Sequence, residues 1–405
     1  MASRLPTTHQ THERGRFRGA MLRRRRLVVA AAAVGVVVAA LGGISVVGAA
    51  TTPGNVPFKA KWADWMRAHD GAFLVNPMER WYYSAAAPDP GGRPGVLNAV
   101  PAVPAPATAA HKGTAAPVPA QGDLAPPTPV PLVVSPALPG EGGWTPTGPL
   151  VHGRAGMYVA QFRADTTYTA EITTAVWLDP ARLRLRLVPG SQEPGGSWPA
   201  PPYLGGAALD HAVAAFNGGF RMQDAGGGFY LGGRTAQPLR NGAASVVIYK
   251  DGRATVGSWG TDVNLSGDVE AVRQNLVLLV DHGQVAPAAT HSDNSIWGDT
   301  LGAATVVARS GIGVTSAGAI VYVAGPALTV RTLAEALARA GCVRAMTLDL
   351  NPEWVTFNLY QHPDPANPGQ VRAAKLYPQM KRPATRYIGP APEARDFFTV
   401  STPGI

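Results

Sequence analysis

A proline- and alanine-rich stretch from residue 85 to about residue 150 constrains the fold of this chain more than any other feature. It contains runs such as Val100–Pro106 and Pro126–Pro131. Such sequence favours the extended polyproline II conformation and buries too little apolar surface to form a packed core. The prediction is therefore a linker over residues 85–150, followed by one folded domain with a proline-rich C-terminal tail over residues 151–405.

Residues 1–26 form a basic tail. They contain eight arginines and one acid, Glu13, and so contribute +7 of the chain's formal net charge of +9. The remainder of the chain is close to neutral, whereas binding to a nucleic-acid backbone needs clustered lysines and arginines on the folded domain. We therefore expect no nucleic-acid partner.

Residues 27–50 carry no charge and are rich in valine, alanine and leucine. A helix of this length, rising about 1.5 Å per residue, would cross a bilayer core. A cleavable signal peptide ending near Val47–Ala49 and a twin-arginine signal at Arg24–Leu27 are the alternatives. The apolar core of a signal peptide is shorter, so an uncleaved transmembrane anchor is favoured. The positive-inside rule then predicts a single-pass cell-membrane protein with a cytoplasmic N-terminus and an extracytoplasmic C-terminal domain.

Residues 51–84 are predicted to form a juxtamembrane helical segment. Phe58, Trp62, Trp65 and Met66 recur at spacings of three and four, which is typical of an amphipathic helix. A helix lying at the membrane surface and a helix packed on the outer domain are equally open interpretations.

Strand patterns dominate residues 151–405. Leu183–Val188 alternates apolar and charged residues, and Gly313–Thr315 and Ala319–Val323 flank a short turn typical of a hairpin. The clearest helix is capped by Thr329 and ends at Gly341. We therefore predict an α+β class with a mixed or antiparallel sheet core and few helices, preceded by the transmembrane helix and the linker.

Two glycine-containing stretches mark the candidate site. They are Asn217-Gly218-Gly219-Phe220, which follows an apolar run, and Arg309-Ser310-Gly311-Ile312-Gly313. Glycine allows a positive φ and lets a ligand approach the backbone closely. An asparagine amide both donates and accepts hydrogen bonds, and an arginine presents a rigid cationic fork. Turn formation alone would also explain either stretch.

The order of these motifs resembles the phosphodiester glycosidase family, whose best-known activity uncovers mannose 6-phosphate by removing a capping N-acetylglucosamine. The family's pattern is Asn-Gly-Gly-aromatic, then Arg-Thr-Ala-hydrophobic-Gly, then a leucine-rich helix leading to Leu-Asp-Gly-Gly-Gly-Ser. Asn217–Phe220 fits the first element, and Arg309–Gly313 fits the second with two conservative changes. Only Leu348-Asp349 fits the third, because Leu350–Glu353 replaces the glycines and serine. The resemblance covers roughly residues 150–360 and implies hydrolysis of a sugar-1-phosphodiester.

That reaction needs a cation for the phosphate, a carboxylate at the reacting centre and polar anchors for the sugar. Arg309 is predicted to bind the phosphate, because a guanidinium binds phosphate oxygens in pairs. Asp349 is predicted to act as the base or to stabilise an oxocarbenium-like centre, with Glu353 as the second candidate carboxylate. An Asx turn at Asp349 and an exposed loop charge at Glu353 are the structural alternatives. The predicted substrate-binding residues are Asn217, Gly218, Gly219, Gln274, Asn275, Trp297 and Asn351.

No H-E-x-x-H, C-x-x-C or acidic calcium-loop motif occurs in the sequence. Neither a metal nor another cofactor is therefore predicted, and the lone Cys342 is interpreted as a buried small hydrophobe. The leading hypothesis is a membrane-anchored extracytoplasmic glycoside hydrolase whose partner is a phosphate-linked glycan of the cell envelope or a secreted glycoconjugate. The alternative is a non-catalytic polysaccharide-binding envelope protein with the same fold.

Overall fold

The computed structural model describes most of the chain beyond its basic tail. The described residues are 32–33, 35–52, 57–85, 88–94, 96–100, 124–290, 294–297, 306–364 and 366–404. They belong to two compact units, Met1–Thr52 with Pro57–Val75 and Pro53–Val56 with Asn76–Ile405. The predicted basic tail and residues 101–123 of the predicted linker lie outside the described residues.

The smaller unit contains helical residues 35–51 and helix α1 (Phe58–Ala68). Trp62 on α1 donates its indole N–H to the Ser45 hydroxyl over 3.0 Å. A Cβ at Gly48 would clash with the Trp65 indole, so the two helices approach closely because Gly48 lacks a side chain. Helix α2 (Ala72–Ala85) follows α1 along the chain.

No helix of the described residues is long and apolar enough to cross a membrane. The transmembrane anchor predicted over residues 27–50 is therefore wrong, together with the single-pass cell-membrane localisation and the membrane partner inferred from it. Helical residues 35–51 fall short of the roughly 20 residues that a bilayer core requires. Residues 27–31 and 34 lie outside the described part of the chain.

The larger unit is built mainly from β-strands. In chain order its strands are β1 (Trp144–Val151), β2 (Arg154–Arg163), β3 (Ile172–Leu178), β4 (Arg184–Val188), β5 (Ala212–Asn217), β6 (Phe229–Leu231), β7 (Arg234–Gln237), β8 (Ala244–Tyr249), β9 (Ala254–Ser258), β10 (Val269–Gln274), β11 (Leu278–Asp281), β12 (Gln284–Val285), β13 (Val307–Thr315), β14 (Ile320–Leu328), β15 (Cys342–Thr347), β16 (Phe357–Gln361), β17 (Arg372–Lys375) and β18 (Phe397–Ser401). Its helices are α3 (Ala207–Asp210), α4 (Asn294–Trp297), α5 (Val330–Arg339) and the 3₁₀ turn Pro287–Thr290.

These strands form three sheets. Their strand orders are β1-β2-β3-β14-β13-β15-β11-β12, β7-β6-β10-β8-β9 and β17-β16-β5-β18-β4. The strand pairs among the described residues are antiparallel, as in β13 with β14 and β5 with β18. An antiparallel sheet core with few helices fits the predicted α+β class, whereas the transmembrane helix that the prediction placed before it is absent from the described residues.

The main hydrophobic core lies on one face of the eight-stranded sheet. Ile312 and Tyr322 from β13 and β14 share it with Phe216 and Phe357 from the β5 sheet. The Phe216 and Phe357 rings stack with their centroids 5.3 Å apart. Because side chains alternate along a strand and Ile312 faces this core, every second residue of β13 faces β5.

Helix α5 covers the opposite face of the eight-stranded sheet. Leu333 and Leu337 are buried there, and the Thr329 side chain caps the helix, as predicted from the sequence. A Cβ at Gly311 would lie 2.9 Å from the Leu337 Cδ1 atom, so this glycine lets the helix approach the sheet. Cys342 is buried in the same cluster, as the sequence predicts.

Residues 124–143, which precede β1, are part of the larger unit. Val130 and Leu138 are buried. Glu141 accepts hydrogen bonds from the Arg163 backbone N–H and side chain, with a closest oxygen–nitrogen distance of 2.7 Å. These contacts attach the segment to β2.

Candidate functional site

Asn217, the last residue of β5, is buried and its amide is fully hydrogen-bonded. Its Nδ2 group donates to the Gly218 carbonyl oxygen at 2.9 Å and to the Ser310 hydroxyl at 3.1 Å. Its Oδ1 atom accepts from the Thr356 backbone N–H at 3.1 Å and from the Tyr322 hydroxyl at 3.2 Å. Asn217 therefore joins the end of β5 to β13, β14 and the residue that precedes β16.

Ser310 on β13 links Asn217 to Asp349. Its hydroxyl oxygen also accepts from the Asp349 backbone N–H at 3.2 Å. The two backbones pair as well, since the Ser310 N–H donates to the Asp349 carbonyl oxygen at 2.8 Å. Ser310 lies inside the arginine-containing motif, but the sequence hypothesis gave it no role. Its link between Asn217 and Asp349 is visible only in the structure.

Asp349 follows β15 and forms an Asx turn. Its Oδ1 atom accepts from the backbone N–H groups of Leu350 and Asn351 at 2.8 and 2.9 Å. Its Oδ2 atom lies 3.1 Å from a guanidinium nitrogen of Arg395. Burial raises the pKa of the Asp349 carboxyl above its ordinary value, and the charge of Arg395 and the two backbone donors partly offset that effect. The carboxyl is thus held in one orientation beside a single close cation.

Arg309 does not join this group of residues. It is adjacent to Ser310 in β13, so strand alternation directs its side chain to the opposite face of the sheet. There its Nε group donates to the Leu328 carbonyl oxygen at 2.9 Å. Burial lowers the pKa of Arg309 to about 10, which still leaves the guanidinium charged at neutral pH. The structure brings Asn217 and Asp349 together through Ser310 and places the Arg309 side chain away from both.

Gly218 and Gly219 make room for a buried ion pair. The Arg273 guanidinium donates to both carboxylate oxygens of Asp396 at 2.8 and 3.1 Å. A Cβ at Gly218 would lie 2.6 Å from the Asp396 carbonyl oxygen, and one at Gly219 would lie 3.0 Å from the Arg273 Cζ atom. Neither glycine has a positive φ. This pair of glycines is therefore required for close packing and not for an unusual backbone conformation.

Gln274 and Asn275 follow Arg273 at the end of β10, and both are fully buried. Gln274 accepts from the backbone N–H groups of Gly228 and Arg240, both at 2.8 Å, so its amide organises two loops. Asn275 donates to the carbonyl oxygens of Thr347 and Leu348 at 3.0 Å. The Asn275 Oδ1 atom has no hydrogen-bond partner among the described residues, which leaves one buried acceptor close to Asp349.

The remaining predicted site residues divide between two places. Asn351 and Glu353 are half-buried beside Asp349, and the Asn351 side chain accepts from the Glu353 backbone N–H at 2.9 Å. Trp297 is buried in the cluster that contains helix α5, where its indole donates to the Ala288 carbonyl oxygen at 2.9 Å. Trp297 is therefore packed in the core on the helix side of the sheet and does not present a free ring face at Asp349.

The sequence hypothesis missed the charged residues that precede β18. Besides Arg395 and Asp396, this segment supplies Arg386 and Glu393, whose side chains form two hydrogen bonds of 2.7 and 2.9 Å. Trp354 contacts two of these cations, with Arg395 3.8 Å and Arg386 4.7 Å from the centres of its rings. The sequence signal that could have indicated these residues is the clustering of charged residues in a proline-rich tail.

The arrangement provides a buried carboxylate, several guanidinium groups and an aromatic ring next to each other. Carboxylates and guanidinium groups can respectively assist a water and bind an oxyanion. Among the described residues no three His, Cys, Asp or Glu side chains are placed to hold a metal ion.

A groove of about 1040 Å³ lies elsewhere on the larger unit. It runs along β4 and includes Trp198, and Arg234 lies 4.5 Å from the Trp198 ring centre. None of the predicted site residues lines it. Its size alone does not connect it with the residues around Asp349.

Residues 210–349 match the family model of phosphodiester glycosidases. The matched range includes Asn217, Ser310 and Asp349, and it confirms the resemblance seen in the sequence. No match was found among curated protein sequences.

Two solved structures are similar to parts of the chain. One is the catalytic domain of zebrafish N-acetylglucosamine-1-phosphodiester alpha-N-acetylglucosaminidase auto-inhibited by its pro-peptide, at 15% identity and a TM-score of 0.39 over 61% of this chain and 82% of that one. The other is a hypothetical protein from Synechocystis, at 12% identity and a TM-score of 0.34 over 64% of each chain.

Proposed function

We propose, from the match of residues 210–349 to the phosphodiester glycosidase model, that the protein hydrolyses the bond between a sugar's anomeric carbon and a phosphodiester. The substrate class is a phosphate-linked glycan. The observation that carries the proposal is the hydrogen-bonded group in which Ser310 of β13 joins Asn217, at the end of β5, to Asp349, which follows β15. All three residues lie inside the matched domain.

The proposed reaction transfers the sugar to water. A water oxygen bonds to the anomeric carbon while the bond from that carbon to the phosphate oxygen breaks. The bonding electrons leave with the phosphate, which becomes a monoester, and the proton from the water passes through a carboxylate to solvent. An alkyl phosphate is a weak base, so its departure needs less help from a general acid than that of an ordinary alcohol.

Asp349 is the carboxylate that the geometry supports best. The Asx turn and Arg395 fix its orientation, and Arg395 favours its ionised form, which is the form that assists a water or stabilises a cationic sugar. Glu353 is the second candidate carboxylate, because it is half-buried four residues further along the chain. Asn275, with its unpaired Oδ1 atom among the described residues, is proposed to accept a hydrogen bond from a sugar hydroxyl.

The test is an assay of the full chain on N-acetylglucosamine-1-(methyl phosphate) and on analogues with other sugars, measuring release of the free reducing sugar. A methyl glycoside that lacks the phosphate is the substrate control. We expect hydrolysis of the phosphodiester only, and a loss of at least about 100-fold in kcat/KM for Asp349→Asn, as for removal of a positioned carboxylate.

Asp364→Asn is the matched control. Asp364 also accepts from the backbone N–H two residues ahead, at 2.9 Å, but it is exposed. Both variants therefore change a carboxylate in the same kind of turn. Equal kcat/KM values for the two variants would contradict a catalytic role for Asp349.

A non-catalytic glycan-binding function is the second candidate. It is favoured by the near-complete use of the Asp349 carboxylate in contacts with Leu350, Asn351 and Arg395. Binding of a phosphate-linked glycan without any release of sugar by the wild-type protein would select this function over hydrolysis.

A further inference from the structure

Three buried or half-buried arginines, Arg382, Arg386 and Arg395, lie in the segment before β18. Arg386 and Arg395 lie against the Trp354 ring. Arg382 precedes Arg386 by four residues, and the chain turns between them, because the Arg386 backbone N–H donates to the Pro383 carbonyl oxygen at 3.0 Å. Such a concentration of guanidinium groups is costly unless each has a partner of opposite charge.

Two of these arginines have such a partner. Arg386 binds Glu393 through two hydrogen bonds and donates to the Glu353 carbonyl oxygen at 3.3 Å. Burial alone would lower the pKa of Arg386, but the Glu393 carboxylate more than offsets this and raises it. Arg395 is paired with Asp349 at 3.1 Å. Both cations are therefore neutralised by contacts within the protein.

Arg382 differs from both. Its side chain is only 5% exposed, and its Nε group has no hydrogen-bond partner among the described residues. No ion pair of its guanidinium is found in that part of the chain either. Burial, followed by the nearby charge of Arg386, lowers the pKa of Arg382 to about 10, so it remains protonated at neutral pH. A charged group in this state favours the binding of an anion.

We propose that Arg382 forms an anion site that binds the phosphate of the phosphodiester substrate. This inference rests on the proposed function for the identity of the ligand. A guanidinium fork can bind two phosphate oxygens at once, which orients the phosphate as the leaving group. Arg309 does not supply this contact, because its side chain lies on the other face of β13.

The test compares Arg382→Met with Lys381→Met in the full chain. Lys381 is adjacent and exposed, so its variant makes the same change in charge without touching a buried group. We expect Arg382→Met to lower kcat/KM on the sugar-1-phosphodiester by at least about 30-fold, as for loss of a charged hydrogen-bonding group. Lys381→Met should change it by less than about threefold.

Thermal unfolding in phosphate-free buffer, with dimethyl phosphate as the added probe, separates anion binding from a structural role. Dimethyl phosphate should raise the Tm of the wild-type protein and should not raise the Tm of Arg382→Met. Without added anion, Arg382→Met should unfold at the same temperature as wild type or higher. A lower Tm for this variant would identify Arg382 as a structural residue and overturn the proposal.

The outcomes distinguish the two proposals. If the wild-type protein binds dimethyl phosphate through Arg382 but releases no sugar, the anion site stands and the hydrolase function fails. If it releases sugar and Arg382→Met is equally active, the hydrolase function stands and the anion site fails. Should Arg382→Met not fold, Arg382→Lys keeps the charge without the fork, and an undiminished Tm response in that variant would refute bidentate binding.

Discussion

The Asn217→Ala variant tests whether Asn217 organises the strand ends or serves the substrate. The truncation removes the acceptor of the buried Thr356 N–H, which lies 3.1 Å from the Asn217 Oδ1 atom. An unsatisfied buried donor costs about 1–3 kcal/mol. The Tyr322 hydroxyl loses its 3.2 Å contact with Asn217 but keeps the Thr356 carbonyl oxygen at 3.4 Å, and Ser310 can still contact the Asp349 carbonyl oxygen, so these losses add a smaller amount. We therefore expect the free energy of unfolding to fall by about 3 kcal/mol.

The measurement is urea unfolding of the full chain, followed by tryptophan fluorescence. Thr174→Val is the matched control, because the buried Thr174 hydroxyl has no hydrogen-bond partner in the described part of the chain. Valine keeps the shape of threonine and removes an unsatisfied polar atom. This control should leave the free energy of unfolding unchanged within about 0.5 kcal/mol or raise it.

A fall of less than about 1 kcal/mol for Asn217→Ala would refute the structural reasoning. It would mean that the four hydrogen bonds contribute little to folding and that the amide is retained for contacts with a ligand. The same result together with a large loss of activity would restore the role that the sequence assigned to Asn217.

Three further outcomes are expected. Arg395→Met should raise the pKa of Asp349 further, because a neighbouring cation is lost, and the acidic limb of the pH profile of kcat/KM should move to higher pH; an unchanged limb would show that Asp349 does not titrate in the reaction. Gly218→Ala should lower the free energy of unfolding by about 3 kcal/mol or more in a urea titration, because its Cβ would displace Asp396 from its buried ion pair; tolerance of alanine would contradict the close packing. Thr329→Ala should cost about 1 kcal/mol in the same titration through loss of the helix cap, and no change would show that the cap is dispensable.

Local patterns predicted the elements of the larger unit well. The alternation at Leu183–Val188 corresponds to β4, where Leu185 and Leu187 are buried and Arg186 is exposed. The hairpin and the helix capped by Thr329 were also predicted, because turn residues, caps and periodicity act over a few neighbouring residues. The apolar run at residues 27–50 misled the prediction, since composition alone does not fix the length of a helix.

The candidate site was predictable only in part. The motifs assigned Asn217 and Asp349 to one site, and the structure links them through Ser310. The sequence could not show whether Arg309 or Ser310 faces Asn217. Adjacent residues of a strand point to opposite faces of the sheet, and which face packs against β5 depends on residues distant in sequence. The contribution of Arg395 depends on the pairing of β18 with β5, and spacing along the chain carries no information about such distant contacts.

The position of β18 has a consequence for how the protein is made. This strand, Phe397–Ser401, lies between β5 and β4, so two earlier strands remain without their shared neighbour until the ribosome has passed residue 401. Arg395 and Asp396 are synthesised together with this strand. A nascent chain that has not yet exposed this segment leaves β5 and β4 without their shared neighbour and Asp349 without its ion-pair partner Arg395.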